Sequence, residues 1–407
     1  MRFVKPSVLL SAFLLLASLP AAMPAGAATP DSATVPQAAG ASLTADRTPA
    51  AGGTAFRASG RSARLQDAIG RATEEGRFDP DEPPGFLGVP GGPQISPWCA
   101  FAWALWVGWI FSTVGAFGGV MASIGHISVF GLGDWVATFG SSPLNRLATD
   151  SIRAHNLCMV GVSSLTASFR HGRLGRIVLP LGLALGLGAL GGAVLASFLS
   201  LDRLLVRDYM GWFGIFVLAL AAYLFWQTLP RARERRRKAL EAAQAFESKA
   251  APQGSRAGSP VTLISASLSR VRFAVCGVEF AFSPVLAAAA GFAVGSASAF
   301  LGVGGGFLFV PLLAGAVQLP MHLAAGTSAF AILIGTASAS ATFMFGGAPV
   351  DWPLLGVELA GVAAGSWIGP MTSRFISGLW LKRLFTAICL VAGANYVLHG
   401  FFGMRFW

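Results

Sequence analysis

Apolar and polar positions in this chain are not interleaved at close spacing; they come in long blocks. Apolar stretches run near 98–118, 120–140, 154–170, 177–199 and 210–229, and again near 278–300, 302–318, 324–345, 352–370 and 383–402. A membrane-spanning helix takes about 20 apolar residues, so most of these blocks predict spans. Several are short and two are interrupted by glycines, which predicts half-helices or re-entrant pieces. Between the two sets lies PRARERRRKALEAAQAFESKAAPQGSRAGSP, a polar and strongly basic stretch.

The basic stretch orients the rest. Cytoplasmic loops of membrane proteins collect Lys and Arg, so 230–272 reads as a cytoplasmic linker. At the N-terminus, Arg2 and Lys5 precede an apolar run from Val8 to Leu19 and a small-residue Ala25-Gly26-Ala27 site. That describes a secretory signal peptide over 1–27, with an uncleaved anchor as the alternative. Either way residues 28–97 start outside the cytoplasm. Rich in Ala, Gly, Pro, Ser and Thr, they read as a largely disordered extracytoplasmic tail, with RLQDAIGRATEEGRF as one short amphipathic helix. The first apolar set (98–229) then crosses an odd number of times. A second set (273–407) that repeats it starts on the opposite side, which makes the halves inverted repeats. Arg170, Arg173, Arg176, Arg374, Lys382 and Arg383 all fall inside on this count. The expected fold is an all-α polytopic membrane protein: two inverted repeats of about five apolar segments each, with glycine-broken helices, in a bacterial-type inner membrane.

Composition supports the class. The chain is 54% hydrophobic and 12% charged, where a soluble domain carries roughly 25% charged residues. An ordinary cytosolic enzyme, a collagen, a coiled coil and a disulfide scaffold are excluded. The net charge of +11 is concentrated enough in the linker to report orientation rather than nucleic-acid binding. Cys99, Cys158, Cys276 and Cys389 are widely separated and show no CxxC or metal-ligand spacing, so they read as buried thiols.

The halves share short anchors. Ser164, Ser168, Phe169 and Gly172 align with Ser338, Thr342, Phe343 and Gly346, and GAFGG (Gly115–Gly119) aligns with GVGGG (Gly302–Gly306). Between these anchors the first half carries extra residues, within SIGHISVFGLGDWVATFGSSPLNR. The most informative stretch is SAFLGVGGGFLFVPLL. Three consecutive glycines weaken a helix by about 1 kcal/mol each relative to Ala. Irregular backbone at membrane depth must be buried in protein or line a cavity. A helix that restarts there offers free N–H groups and the positive end of its dipole, an anion site without a charged side chain. Close helix packing through small residues is the alternative.

GVGGGFLFVPLL followed by AAGTSAFAILIGTASASATF resembles the TauE/SafE sulfite exporter family, over about 98–402. The matching positions are Gly302, Gly304, Gly305, Gly306, Pro311, Thr327 and Ser328. The first half is a degenerate copy: GAFGGVMASIGHISVF lacks the third glycine and the proline, and DSIRAHNLCMV has no clear Thr-Ser element. The resemblance implies transport of sulfite, organosulfonates or related small anions, driven by an ion gradient, without catalysis and without a cofactor. The partners expected are the small anion, the lipid bilayer and a coupling proton or sodium ion.

The anion is then expected near the midplane, between the breaks of the two halves. Backbone N–H groups at Gly304–Gly306 and, from the Gly115 to Gly119 break, at Gly118 and Gly119 would hold its oxygens, with Ser163, Thr327 and Ser328 hydroxyls beside them. Arg153 aligns opposite Thr327 and reads either as an anion contact or as a partner of Asp150. Asn156 reads as a neutral donor or as interhelical glue. Intramembrane ionisable residues are functional candidates by default, and His126, beside the first break, and Glu358, mid-segment, are the proton-coupling candidates. Glu358 is expected either protonated or paired with an Arg or Lys. His155 is not favoured for function; His171, His322 and His399 read as loop or interface residues. No metal set is expected. Alternative readings are a passive anion channel, an intramembrane enzyme built on His126, Asp134 and His155, and a membrane scaffold with a partner-binding tail.

Overall fold

A computed structural model of the chain describes residues 55–114, 117–228, 262–275 except 268, 278–372 except 318 and 320, and 378–404. The expected signal peptide, Gly115 and most of the basic linker lie outside the described residues. Arg61 onward forms one unit.

The helices in chain order are α1 (Ala55–Glu74), α2 (Pro97–Val114), α3 (Gly118–Ile124), α4 (Leu132–Ala137), α5 (Pro143–Arg173), α6 (Leu179–Ser200) and α7 (Val206–Thr228). After three strands follow α8 (Pro284–Leu301), α9 (Gly306–Ala316), α10 (Met321–Gly346), α11 (Trp352–Thr372) and α12 (Gly378–Val397). π-helical turns extend α3 through Gly125–Val129 and α12 through Leu398–Phe402. Four helices among the described residues are long and apolar enough to cross a membrane: Leu179–Ser200, Val206–Trp226, Pro284–Leu301 and Leu323–Gly346. Their outward faces carry Leu187, Phe198, Phe225 and Phe292 in the open, as a lipid-facing surface requires.

The helical membrane class stands, and three details are corrected. First, a small three-stranded antiparallel meander, β1 (Thr262–Ala266), β2 (Val271–Val275) and β3 (Val278–Phe282), precedes the second set of helices. Val278–Phe282 alternates apolar and polar residues and pairs along its whole length with β2, so the helix predicted from 278 begins only at Pro284. There Ser283 accepts from the Leu286 amide as N-cap and Pro284 occupies the first turn, a standard start signal. Second, α5 begins at Pro143, not 154: Ser142 caps it by accepting from the Asn145 amide. Third, residues 63–97 of the supposed tail are folded. Ala68, Ile69 and Ala72 of α1 and Phe86, Leu87 and Val89 beyond it are buried in the same core as α2, α3 and α7.

Glycines set the helix pairing. Gly188 and Gly192 of α6 lie against the α8 backbone at Ala288 and Phe292, while Gly291 and Gly295 of α8 lie against α6 at Leu185 and Ala189. Gly361 and Gly365 of α11 meet α2 in the same way, at Phe101 and Leu105. Small residues let backbones approach where there is no hydrophobic drive between helices. The pairing is reciprocal across the halves: α2 packs on α11, α8 on α6, α12 on α7 and α10 on α5. The 31-residue α5 sits inside this arrangement. It buries Asp150, Arg153, His155, Asn156 and Ser163, a load of polar groups that only protein-facing surfaces accept.

Candidate functional site

Two features meet on α5. The first is the second-half glycine break. α8 ends where Gly302 turns left-handed at φ 64°, and Gly304 repeats that conformation at φ 65°. Only glycine adopts this backbone without strain. α9 restarts at Gly306, with no side chain capping its first turn. The amides of Gly304, Gly305 and Gly306 find no backbone partner among the described residues, and all three glycines are buried. Arg153, Asn156 and Val160, one helical turn apart, line the α5 face nearest the break. A Cβ on Gly302 would press on Arg153, and one on Gly304 would strike Val160.

Arg153 is committed through both terminal nitrogens. Its Nη1 donates to Asp150 Oδ1 at 2.9 Å, and its Nη2 donates to Ser200 Oγ at 2.6 Å and to the Ala299 carbonyl at 3.2 Å. Its guanidinium lies 4.5 Å from the Phe343 ring centroid. It therefore holds the end of α8 in place, and its pairing with Asp150 leaves only Nε without a partner. Asn156 Nδ2 donates to Ser123 Oγ at 2.9 Å, and the Tyr209 hydroxyl donates to the Leu301 carbonyl at 3.1 Å. Gly119 of the first-half break sits against the Val303 carbonyl with no room for a Cβ. The two breaks are thus brought together, with Arg153 and Asn156 beside them. Thr327, Ser328 and Ser163 are not brought to them by any described contact. Thr327 Oγ1 accepts from the Val178 amide at 3.0 Å, Ser328 Oγ donates to the Ala325 carbonyl at 3.0 Å, and Ser163 Oγ accepts from Ser366 at 3.4 Å. Pro311 falls within α9, one turn beyond the break.

The second feature is a triad. His126 Nε2 lies 2.8 Å from Glu358 Oε1, and His155 Nδ1 lies 3.0 Å from Glu358 Oε2, with all three side chains fully buried. The expected Arg or Lys partner for Glu358 is replaced by two histidines, one of them the His155 that the sequence did not favour. Asp134, grouped with these histidines in the enzyme reading, lies instead 3.6 Å from His399.

Hydrogen bonds on the far side of each ring assign the tautomers. His126 Nδ1 is 3.1 Å from the Ala122 carbonyl; a carbonyl only accepts, so Nδ1 carries hydrogen. His155 Nε2 accepts from the Asp351 amide at 3.3 Å, so the hydrogen of that ring is on Nδ1 and points to Glu358. His155 is satisfied as a neutral ring. His126 is not: with Nδ1 protonated, a neutral ring would set the Nε2 lone pair against a carboxylate oxygen. The contact is short without being aligned as a hydrogen bond. One further proton, on His126 or on Glu358, turns this repulsion into attraction and leaves the buried triad neutral overall.

The three ligand-type atoms lie within 4.8 Å of one another, a grouping that linear spacing did not suggest. A metal would need a lone pair from each ring. The Nδ1 lone pair of His155 requires hydrogen on Nε2, directly against the Asp351 N–H. The donor set fits a proton better than a divalent ion.

Residues 99–396 match the family model described as Sulfite exporter TauE/SafE. The chain belongs to the TauE/SafE family. Over 106 residues it is 33% identical to a Xylella fastidiosa (strain 9a5c) protein described as a probable membrane transporter protein. That stretch covers 26% of this chain and 40% of the relative, so the two share well under two thirds of the relative's length. No solved structure matches. Membership and the apolar helices make this TauE/SafE protein a multi-pass membrane protein. Ser123, Tyr209 and the pairing roles of Asp351 and His155 went unseen in the sequence. The one available signal was rarity, since the chain has only three tyrosines and Tyr209 is buried and bonded at the break.

Proposed function

We propose that this protein is a proton-coupled transporter of a small oxyanion, with sulfite or an organosulfonate the first candidates, in a bacterial-type inner membrane. The observation that carries the reading is the buried His126–Glu358–His155 triad, which calls for one exchangeable proton and shares α5 with the glycine break. His126 lies one turn beyond Ser123, and His155 adjoins Asn156, so the proton site and the break share two elements.

The amides of Gly304–Gly306, at the positive end of α9, supply the anion side. From the other half, Gly119 lies against the Val303 carbonyl just before them. Loss of the proton from the triad leaves a net negative buried group, which the site relieves by changing conformation or by taking a proton from the other side. That exchange would drive alternating access. The reciprocal pairing of helices across the halves supports the inverted-repeat reading, with the linker at 230–272 cytoplasmic and the segment before Trp98 extracytoplasmic.

The test is radiolabelled sulfite flux in proteoliposomes, with and without an imposed pH gradient, competed by sulfate, thiosulfate and several sulfonates. Gradient-driven flux blocked by one competitor class is expected. Flux that proceeds equally without the gradient points to a passive channel. No flux of any of these anions through folded, inserted protein removes the oxyanion assignment.

A further inference from the structure

The segment between α1 and α2 lies outside the residues matched by the family, yet it is built as carefully as the helices. The Gly85 amide donates to the Val89 carbonyl at 2.9 Å, Phe86 to Pro93 at 3.1 Å and Gly91 to Pro83 at 3.2 Å, closing a tight double-back. Leu87 sits at φ 60°, a left-handed conformation that a branched side chain adopts only when its surroundings hold it there. This loop seats on residues 130–142, within the stretch that the first half has and the second lacks. Arg77 donates to the Phe139 carbonyl at 3.0 Å, and the Phe86 ring meets Trp135 edge-on at 6.3 Å. Two additions to the repeat pattern therefore pack on each other.

What they cover is the triad. The Phe86 ring stands edge-on to His155 at 6.1 Å. The Leu87 amide donates to Asp351 Oδ2 at 3.1 Å, and the Asp351 amide donates to His155 Nε2. Asp351 Oδ1 also accepts from Leu354 at 3.1 Å, capping α11. One residue thus ties the loop, the helix start and the triad together. Glu358 lies seven residues along from Asp351, about 10 Å at 1.5 Å per residue. On the outer side a cavity of about 410 Å³ is lined by Pro84, Phe86, Ile95, Asp351, Leu354 and Val357. Phe86 and Asp351 both line this cavity and contact His155, so they stand between the cavity and the triad.

We propose that residues 79–97 form a strap that closes the triad off from this cavity, and that Asp351 is the positioning residue through which strap and triad sense each other. The inference rests on the triad being the transporter's proton site. Releasing the strap exposes the Nε2 edge of His155; seating it restores the dry, hydrogen-bonded ring.

The test is carbethoxylation of the full-length protein in proteoliposomes with diethylpyrocarbonate, read at His155 by peptide mass spectrometry, with His171 as internal reference. Phe86→Ala should raise the His155 rate by about tenfold, as when a covered group samples the open state more often, with His171 unchanged. Asp351→Asn keeps the backbone amide and a capping oxygen but cannot serve Leu87 and Leu354 equally. It should raise the rate several-fold and shift the pH profile of flux. If Phe86→Ala fails to elute as folded protein, Asp351→Asn decides. Unchanged labelling in the folded variants overturns the strap. Labelling that responds while wild-type flux ignores the pH gradient overturns the transporter reading and leaves the strap standing.

Discussion

Glu358→Gln separates the proton site from a structural ion pair. Glu358 is buried and holds His126 at 2.8 Å and His155 at 3.0 Å. Glutamine has the same shape, and its amide fits the tautomers already set by Ala122 and Asp351. Its oxygen accepts from His155 Nδ1–H, and its NH₂ donates to the bare Nε2 of His126. The variant network is neutral and complete with no proton to give away. The change in stability should therefore stay near 1 kcal/mol, the net worth of a single hydrogen bond. Glu358→Ala removes both contacts and strands two buried rings, at a cost of about 3–5 kcal/mol. Thermal melting in detergent should thus rank wild type and Gln close together and Ala well below. In proteoliposomes, Gln should lose about a hundredfold or more of its gradient-driven anion flux, the size expected when a positioned proton-transfer group is removed, while anion exchange at equal pH persists. Full gradient-driven flux in Glu358→Gln would falsify the triad as the coupling site.

Other perturbations follow from the break and its supports. Gly119→Ala places a methyl against the Val303 carbonyl, so anion flux should fall sharply while membrane insertion, read by glycosylation or cysteine-accessibility tags, is unchanged. Arg153→Leu strands Asp150 in the interior and should lower stability by about 3–5 kcal/mol. Adding Asp150→Asn keeps an acceptor for the Asp202 amide and should recover part of that loss in a melting experiment; no recovery would show that the pair is not the source. Tyr209→Phe removes the hydroxyl from the Leu301 carbonyl and should cost about 1 kcal/mol, with flux reduced more than stability.

The sequence revealed what lies in one segment at a time. Long apolar blocks located most helices, because a bilayer demands unbroken apolar length. The glycine run located the break, because three adjacent glycines inside such a block weaken a helix at that point. Arg153 and Asp150, three residues apart on one helix, could be paired from spacing alone. The triad could not. His126, His155 and Glu358 come from three helices, and nothing local distinguishes a histidine facing a carboxylate from one facing a carbonyl. The start of α5 was missed because its first turns are polar, and only burial against other helices makes such a stretch helical within a membrane protein. The strap was missed because Pro and Gly in DPDEPPGFLGVPGGP exclude regular structure but not order. Its backbone is held by specific turns and by Asp351, more than two hundred residues away.

The crossing of partners between halves has a mechanical consequence. Each half lends its opening helix to the other: α2 is clasped by α11, and α8 by α6. The covalent halves are therefore not the rigid levers. A lever that keeps its clasped pairs intact mixes both, α2 with α11 or α8 with α6, and each such pair carries a break at one end, before α3 or before α9. In the proposed transport cycle, tilting one such pair against the other would roll it about the close contact of Gly119 with the Val303 carbonyl, and the missing side chain there would let the two surfaces turn without catching.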